Sequence, residues 1–332
     1  MNRGIAAAGN LIVDVIKGID TYPKRGNLVT INDVSLATGG LCPNCLIDIA
    51  RMDKSVHLEA IGLVGQDNYG QLVLDTLSAE GIDTAHIGRH PTLGTSFTDV
   101  MTERTERTFF QYRGANAAFG PDAIDFDAIQ ADIIHFGYIL LLDAMDESDP
   151  EYGTVMARTL AAAQARGFKT SIDVVSEQSD RFARLVPPSL AYTDYCIINE
   201  VEASMTADLP CRDADGKLLI GNMEPLCRAV KALGVSTWVV IHCPEGSYAL
   251  DEQGQYMSLP SVDVPAEFIK GKAGAGDAFC AAVLYGAYRE MTLPDTLKLA
   301  SAAAVSCLSS PSASAGILPV DELMALYRQY AE

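Results

Sequence analysis

The sequence has no basic stripe, no apolar run long enough to cross a bilayer and no dense set of cysteines. Each gap argues against a class of function. Lys and Arg number 24 against 43 Asp and Glu, for a formal net charge of −19. That balance argues against a protein that holds nucleic acid by its phosphates. It also means that an anionic ligand needs local help from a metal or from backbone amides. Residues 1–9 lack a charged segment followed by a long apolar stretch, so no signal peptide is expected. The longest apolar runs, such as 133–142 with His135 and Gly137 inside it, are too short for a membrane span. Eight scattered cysteines fit reduced thiols in a cytoplasm better than a disulfide framework. Cys42-Pro43-Asn44-Cys45 has the spacing of a redox or zinc pair. However, neither a second C-x-x-C nor an H-x3–5-H is there to complete a zinc site. No G-x-G-x-x-G follows an N-terminal strand, which argues against a nicotinamide dehydrogenase. The glycines of 65–70 have P-loop spacing, but Gln71 and Leu72 stand where Lys and Ser/Thr are required. Internal repeats and low-complexity tracts are absent as well.

What is present is an ordinary folded chain of 332 residues, 48% hydrophobic, long enough to bury a large core. From residue 133 onward apolar strands alternate with amphipathic helices. Strands are expected at 133–136, 169–175, 195–199, 238–242 and 248–250. Helices are expected at 152–166, 200–207, 223–233, 277–290, 293–309 and 320–330. This alternation predicts a parallel sheet covered on both faces. Before it come strands at 5–8, 11–16, 28–36 and 57–64, helices at 43–52 and 71–80, and a hairpin over 94–101 and 108–112. The early strands and the hairpin break the alternation. They predict a small β layer at one edge, a lid formed by about 11–37 and 94–114.

Chemistry concentrates at Gly271-Lys272-Ala273-Gly274-Ala275-Gly276-Asp277. A strand end runs into a glycine-broken turn, and the turn opens an apolar helix. Glycines let the backbone approach a ligand closely. The first N–H groups of a helix have no internal partner and form an anion site. A carboxylate beside such a site can take a hydroxyl proton while the amides hold a phosphate, which is the minimal equipment for phosphoryl transfer. A glycine turn with a capping Asp is the structural alternative.

Taken in order, the motifs resemble the ribokinase-like (PfkB) family of sugar and nucleoside kinases over nearly the whole chain. Gly9-Asn10 with Asp14, Gly39-Gly40 with Asn44, Gly65-x-Asp67-x-x-Gly70, Asn199-x-x-Glu202 and Gly274-Ala275-Gly276-Asp277 stand in the family's sequence. The resemblance implies one ribokinase-like domain over 1–332, a three-layer α/β/α fold with a mostly parallel central sheet and an inserted β lid. It implies transfer of the γ-phosphoryl group of ATP to a hydroxyl of a small sugar, with Asp277 as base and the 274–277 amides as anion hole. Asn10, Asp14, Gly39, Gly40, Asn44 and Arg113 would meet the acceptor. Asn199, Lys272, His242 and Gly246 would lie on the nucleotide side, with Glu202 holding Mg²⁺ through water.

The chain departs from the family pattern in places. Gly271-Lys272 replace the usual Asp-Thr, which puts a monovalent-cation site in doubt, and Lys272 is a candidate for the missing positive charge. His242-Cys243-Pro244-Glu245-Gly246 is poorer in glycine than the family norm. Relatives that phosphorylate keto-deoxy acids carry Asn and Arg after a mid-chain strand Asp. Here the strand reads Asp173-Val174-Val175-Ser176-Glu177, which favours a neutral sugar. A nucleoside stays open, with Phe97, Tyr112 and Tyr138 as candidate base contacts, as does a non-catalytic binder. Exposed lid edges make a homodimer through the lid an expectation.

Overall fold

A computed structural model describes residues 3–103, 106–177 and 180–331. In chain order the first half holds β1 (Ile5–Gly9), β2 (Ile12–Ile19), β3 (Ile31–Gly39), α1 (Leu41–Met52), β4 (Leu58–Gly65), α2 (Asn68–Ala79), β5 (Asp83–His90), β6 (Phe97–Glu103), β7 (Glu106–Tyr112) and the single turn α3 (Gly114–Ala117). Next come β8 (Ile133–Ile139), a short pair β9 (Ser148–Asp149) and β10 (Gly153–Thr154), α4 (Val155–Ala165), β11 (Lys169–Val174), α5 (Phe182–Leu190), β12 (Tyr195–Asn199), α6 (Glu200–Ala207), α7 (Ile220–Ala232) and β13 (Trp238–Cys243). The chain closes with β14 (Gly246–Leu250), β15 (Tyr256–Pro260), α8 (Ala275–Tyr288), α9 (Leu293–Leu308) and α10 (Val320–Ala331).

Nine strands form one sheet in the order β15-β14-β13-β12-β11-β8-β1-β4-β5. The run from β5 to β13 is parallel, and β14 and β15 are antiparallel additions. Successive side chains of a strand point to opposite faces, and β1 shows it. Ile5 and Ala7 enter one apolar layer with α1, α2, α8 and α9, while Ala6 and Ala8 enter the other with α4, α5, α6 and α7. Helices therefore cover both faces, as the strand–helix alternation requires.

A second, smaller sheet, β3-β2-β6-β7, occupies the region where the lid is expected. Its outer pairs are antiparallel, while β2 and β6 run parallel. Both edge strands are exposed: Val34 and Leu36 on β3 and Phe109 and Phe110 on β7 are at least half accessible. Arg104 and Thr105, at the expected hairpin connection, lie outside the described residues.

Several boundaries differ from expectation for physical reasons. Strand β3 starts at Ile31, not Leu28, and continues to Gly39. Helix α1 begins two residues early, which still leaves Pro43 in the first turn, where its missing N–H has no helical partner to lose. Helix α5 was not expected, because Pro187 and Pro188 sit inside it. β5 and β15 were also not expected. Both are sheet edges whose sequences lack the apolar run of an interior strand. Among the described residues no helix is long and apolar enough to cross a membrane.

Candidate active site

Topology places the cleft. From β1 the sheet grows outward to β4 and β5 on one side, and to β8, β11, β12 and β13 on the other. The strand order reverses at β1/β8, and in open α/β sheets ligands sit beyond the carboxyl ends of strands at such a point. Asn10, Tyr138, Asp173, Asn199 and His242 all stand at or near those strand ends. The Asn10 N–H donates to the Gly137 carbonyl at 2.8 Å, which holds the two sides of the reversal together.

Helix α8 faces this point with its N-terminus. Gly274 is its N-cap at φ 81°, a left-handed conformation that suits glycine, and a side chain there would strike the Ala313 backbone. No side chain caps the helix, so the amides of Ala275 and Gly276 are left for a ligand. Asp277 occupies the third helical position. Its Oδ1 accepts the Tyr138 hydroxyl at 2.7 Å and its Oδ2 accepts Asn44 Nδ2 at 2.8 Å. Burial pushes the Asp277 carboxyl up, and the Tyr138 and Asn44 bonds pull it part of the way back.

On the lid side, Asp14 lies against Gly39 and Asn10 against Gly40, so closely that a side chain on either glycine would collide with its neighbour. Asn10 is buried, and its amide oxygen and nitrogen have no partner among the described residues. Burial raises Asp14 to about 6, with the Asp277 charge adding to the effect and Arg107 opposing it.

On the other side is a cleft of about 280 Å³ lined by Tyr138, Asp173, Ser176, Asn199, Glu202, His242, Gly274, Gly276 and Asp277. Asn199 caps α6 in a reciprocal box: its Oδ1 accepts from Val201 and Glu202, while Glu202 Oε2 accepts the Asn199 N–H at 2.9 Å. Ser176 Oγ donates to Glu202 Oε1 at 2.7 Å. Burial lifts Glu202 to about 7 against these bonds. Burial also holds Asp173 well above the ordinary carboxylate range, with Glu202 and Asp277 adding to it. His242, lowered to about 4 by burial, is neutral and packs against Phe279 with tilted rings, their centroids 5.0 Å apart. Among the described residues no Lys or Arg lines this cleft.

Asp277, Asn44, Asp14, Asn10, Gly39, Gly40, Asn199, Glu202 and His242 are thus gathered around α8. Three expected residues are not. Gly246 opens β14 with its bare α-carbon against the Leu259 carbonyl, so glycine there serves the β14–β15 hairpin. Lys272 is exposed. Arg113 turns away to the Leu140 carbonyl and Asp143, both at 2.9 Å. Asp67, from the glycine loop, caps α2 and binds Thr95, a structural duty.

Sequence reasoning did not assign site roles to Asp173 and Ser176, and it took Tyr138 only as a base contact. An acid at the carboxyl end of a central parallel strand was the available signal for Asp173. Nothing in the sequence linked Tyr138 to Asp277, 139 positions away.

Comparison with known proteins agrees with this architecture. The model of the pfkB family carbohydrate kinases matches residues 3–320. A 5-dehydro-2-deoxygluconokinase of Clostridium botulinum is 25% identical over 314 residues, covering 89% of this chain and 85% of the relative. The structure of Arabidopsis thaliana ribokinase complexed with ribose and ATP superposes with a TM-score of 0.80 at 19% identity, covering 99% of each chain. Fructokinase of Xylella fastidiosa with bound ATP gives 0.76 at 18% identity over both full lengths. The chain has the ribokinase-like fold and belongs to the pfkB family of carbohydrate kinases.

Proposed function

We propose that the protein moves the γ-phosphoryl group of ATP to a hydroxyl of a small neutral sugar. The carrying observation is Asp277: a carboxylate on the first turn of an uncapped helix, with its pKa raised, held by Asn44 and Tyr138. Asp277 takes the proton from the acceptor hydroxyl. The amides at 274–277 meet the charge that develops on the phosphoryl oxygens. Asn10, Asp14 and the Gly39–Gly40 backbone orient the sugar. Asn44 acts on that side through its bond to Asp277. His242 lies toward the nucleotide.

The donor set at Asp173, Ser176, Asn199 and Glu202 offers oxygens and no cationic side chain, which suits a hard divalent ion such as Mg²⁺. Both Glu202 oxygens already accept hydrogen bonds, which supports contact through water. Bound there, the ion would supply charge neutralisation to the ATP phosphates. A sugar acid, the substrate class that the Clostridium relative's name denotes, is disfavoured here. Arg113 is committed to Asp143 and Leu140, and Arg181 to Glu177 and Leu140. Phe97 and Tyr112 pack on each other at 5.4 Å, which leaves less reason for a nucleoside slot.

ADP release over a panel of neutral sugars, sugar acids and nucleosides with Mg-ATP tests the reading. Turnover is expected on a neutral sugar and not with Asp277→Asn. Ligand binding without turnover on any member would instead make this a sensor.

The lid carries a second part of the proposal. Val34, Leu36 and Phe110 stand exposed on one face of this sheet, with Phe109 exposed on the other, beside two open strand edges, and a second copy paired along an edge would cover part of this apolar surface. Light scattering should report a dimer, and Phe110→Glu with Val34→Asp a monomer.

A further inference from the structure

Behind Asp277 lies a cluster that phosphoryl transfer does not use. Cys45 follows Asn44 on α1, Cys280 stands three residues beyond Asp277 on α8, and His135 comes from β8. All three are fully buried, and their sulfur and ring-nitrogen atoms lie within 4.8 Å of one another. Cys280 Sγ is 3.5 Å from His135 Nε2, and Cys45 Sγ lies within 4.8 Å of both atoms. His135 Nδ1 is 2.8 Å from Ser171 Oγ, which fixes the ring and aims Nε2 at the sulfurs. The imidazole is neutral, held at about 3 by burial. The C-x-x-C pair is split by the fold, since Cys42 donates instead to the Ala7 carbonyl at 3.0 Å.

We propose that Cys45, His135 and Cys280 bind a thiophilic closed-shell metal ion, Zn²⁺ or Cu⁺, in the core beneath the catalytic loop. The ligand types are those that soft and borderline ions select. With Zn–S near 2.3 Å and Zn–N near 2.05 Å, a tetrahedral ion sets sulfur and nitrogen about 3.6 Å apart, against the 3.5 Å found between Cys280 and His135. Ser171 supplies the outer hydrogen bond that orients metal-binding imidazoles. Two thiol protons leave, two sulfur–metal bonds and one nitrogen–metal bond form, and no electron is transferred. Two thiolates bring a Zn²⁺ site to zero net charge, which favours it in a core. Three ligands match the lower coordination number of Cu⁺. Either ion would pin α1 to α8 directly behind Asn44 and Asp277. It would draw on Cys45 alone of the C-x-x-C pair, with a histidine and a cysteine 90 and 235 positions from Cys45 in sequence.

The test is metal content. Full-length protein is produced with added zinc, or with added copper under reducing anaerobic conditions, then dialysed against EDTA and measured by plasma mass spectrometry. About one ion per chain is expected in one arm, and that arm identifies the ion. Cys280→Ser and Cys45→Ser should each lower the content at least tenfold, while Cys42→Ser keeps it. Serine in the core could unfold the chain, so wild-type protein gives a second readout. Titrating its thiols with an organomercurial should release the ion in proportion. Less than about 0.1 ion per chain in both arms, unchanged content in Cys280→Ser, or no release on thiol titration would each overturn the proposal.

Discussion

Two carboxylates hold the same place in two helices and are wired in opposite ways. Glu202 is the third residue of α6 and Asp277 the third of α8. Asn199 closes the α6 end completely: its side chain takes the free amides, and Glu202 returns the favour to the Asn199 N–H. Gly274 at the head of α8 has no side chain to give, so the α8 amides stay open and Asp277 bonds outward, to α1 through Asn44 and to β8 through Tyr138. The proposed anion site thus depends on a missing capping side chain, and glycine is required there by the Ala313 backbone. Under the proposed function, Glu202 contributes order and Asp277 contributes reactivity.

The sharpest way to break that contrast is to neutralise each acid in turn. Asp277→Asn should lower kcat by about 10²–10⁴-fold while leaving the melting temperature unchanged or higher, since burial disfavours the ionised carboxylate. Loss of folding in this variant, or retention of kcat, would erase the distinction. Asn199→Ala acts on the other helix. It should cost about 1 kcal/mol of stability by denaturant titration and weaken the Mg²⁺ dependence by about tenfold, with kcat at saturating Mg²⁺ nearly kept.

Acid titration separates the cleft from the surface. Asp14 and Glu202, raised to about 6 and about 7, bind protons more tightly in the folded chain than in the unfolded one. The stability they contribute is complete at low pH and is lost as pH rises through 6–7. Asp53 and Glu245, lowered to about 2, act in the opposite sense, and only as pH falls below the ordinary carboxylate range. Ligand-free protein should therefore melt about 2–5 °C lower at pH 8 than at pH 5.5, and saturating Mg²⁺ should flatten that slope by favouring the ionised carboxylates. A melting temperature that rises toward pH 8 would refute the assignment. The smallest effect belongs to Lys272→Ala. An exposed lone charge is screened, so KM for ATP should change by no more than about threefold, and the melting temperature not at all.

The sequence and the structure agree best where one residue type has one reason to be there. Interior strands such as β8 and β12 are legible because they are apolar on both faces. The edges β5 and β15 are not, since half of their contacts are with solvent or with nothing. The Gly274–Asp277 turn announces itself because the glycines, helix start and acid are contiguous. Tyr138 and Asp173 come to Asp277 only when β8 and β11 are set side by side, and no local pattern encodes that neighbourhood. Gly246 misleads for the converse reason: a glycine beside an expected nucleotide segment looks the same whether it admits a ligand or a neighbouring strand.

Asn10 adds a consequence for selectivity. Its buried side-chain amide has no hydrogen-bond partner among the described residues. A ligand hydroxyl that completes it recovers about 1–3 kcal/mol. An analogue without that hydroxyl forfeits the same amount, roughly a 5- to 150-fold change in affinity. Under the proposed function the pocket would therefore discriminate by what a sugar lacks, with no clash needed to exclude it.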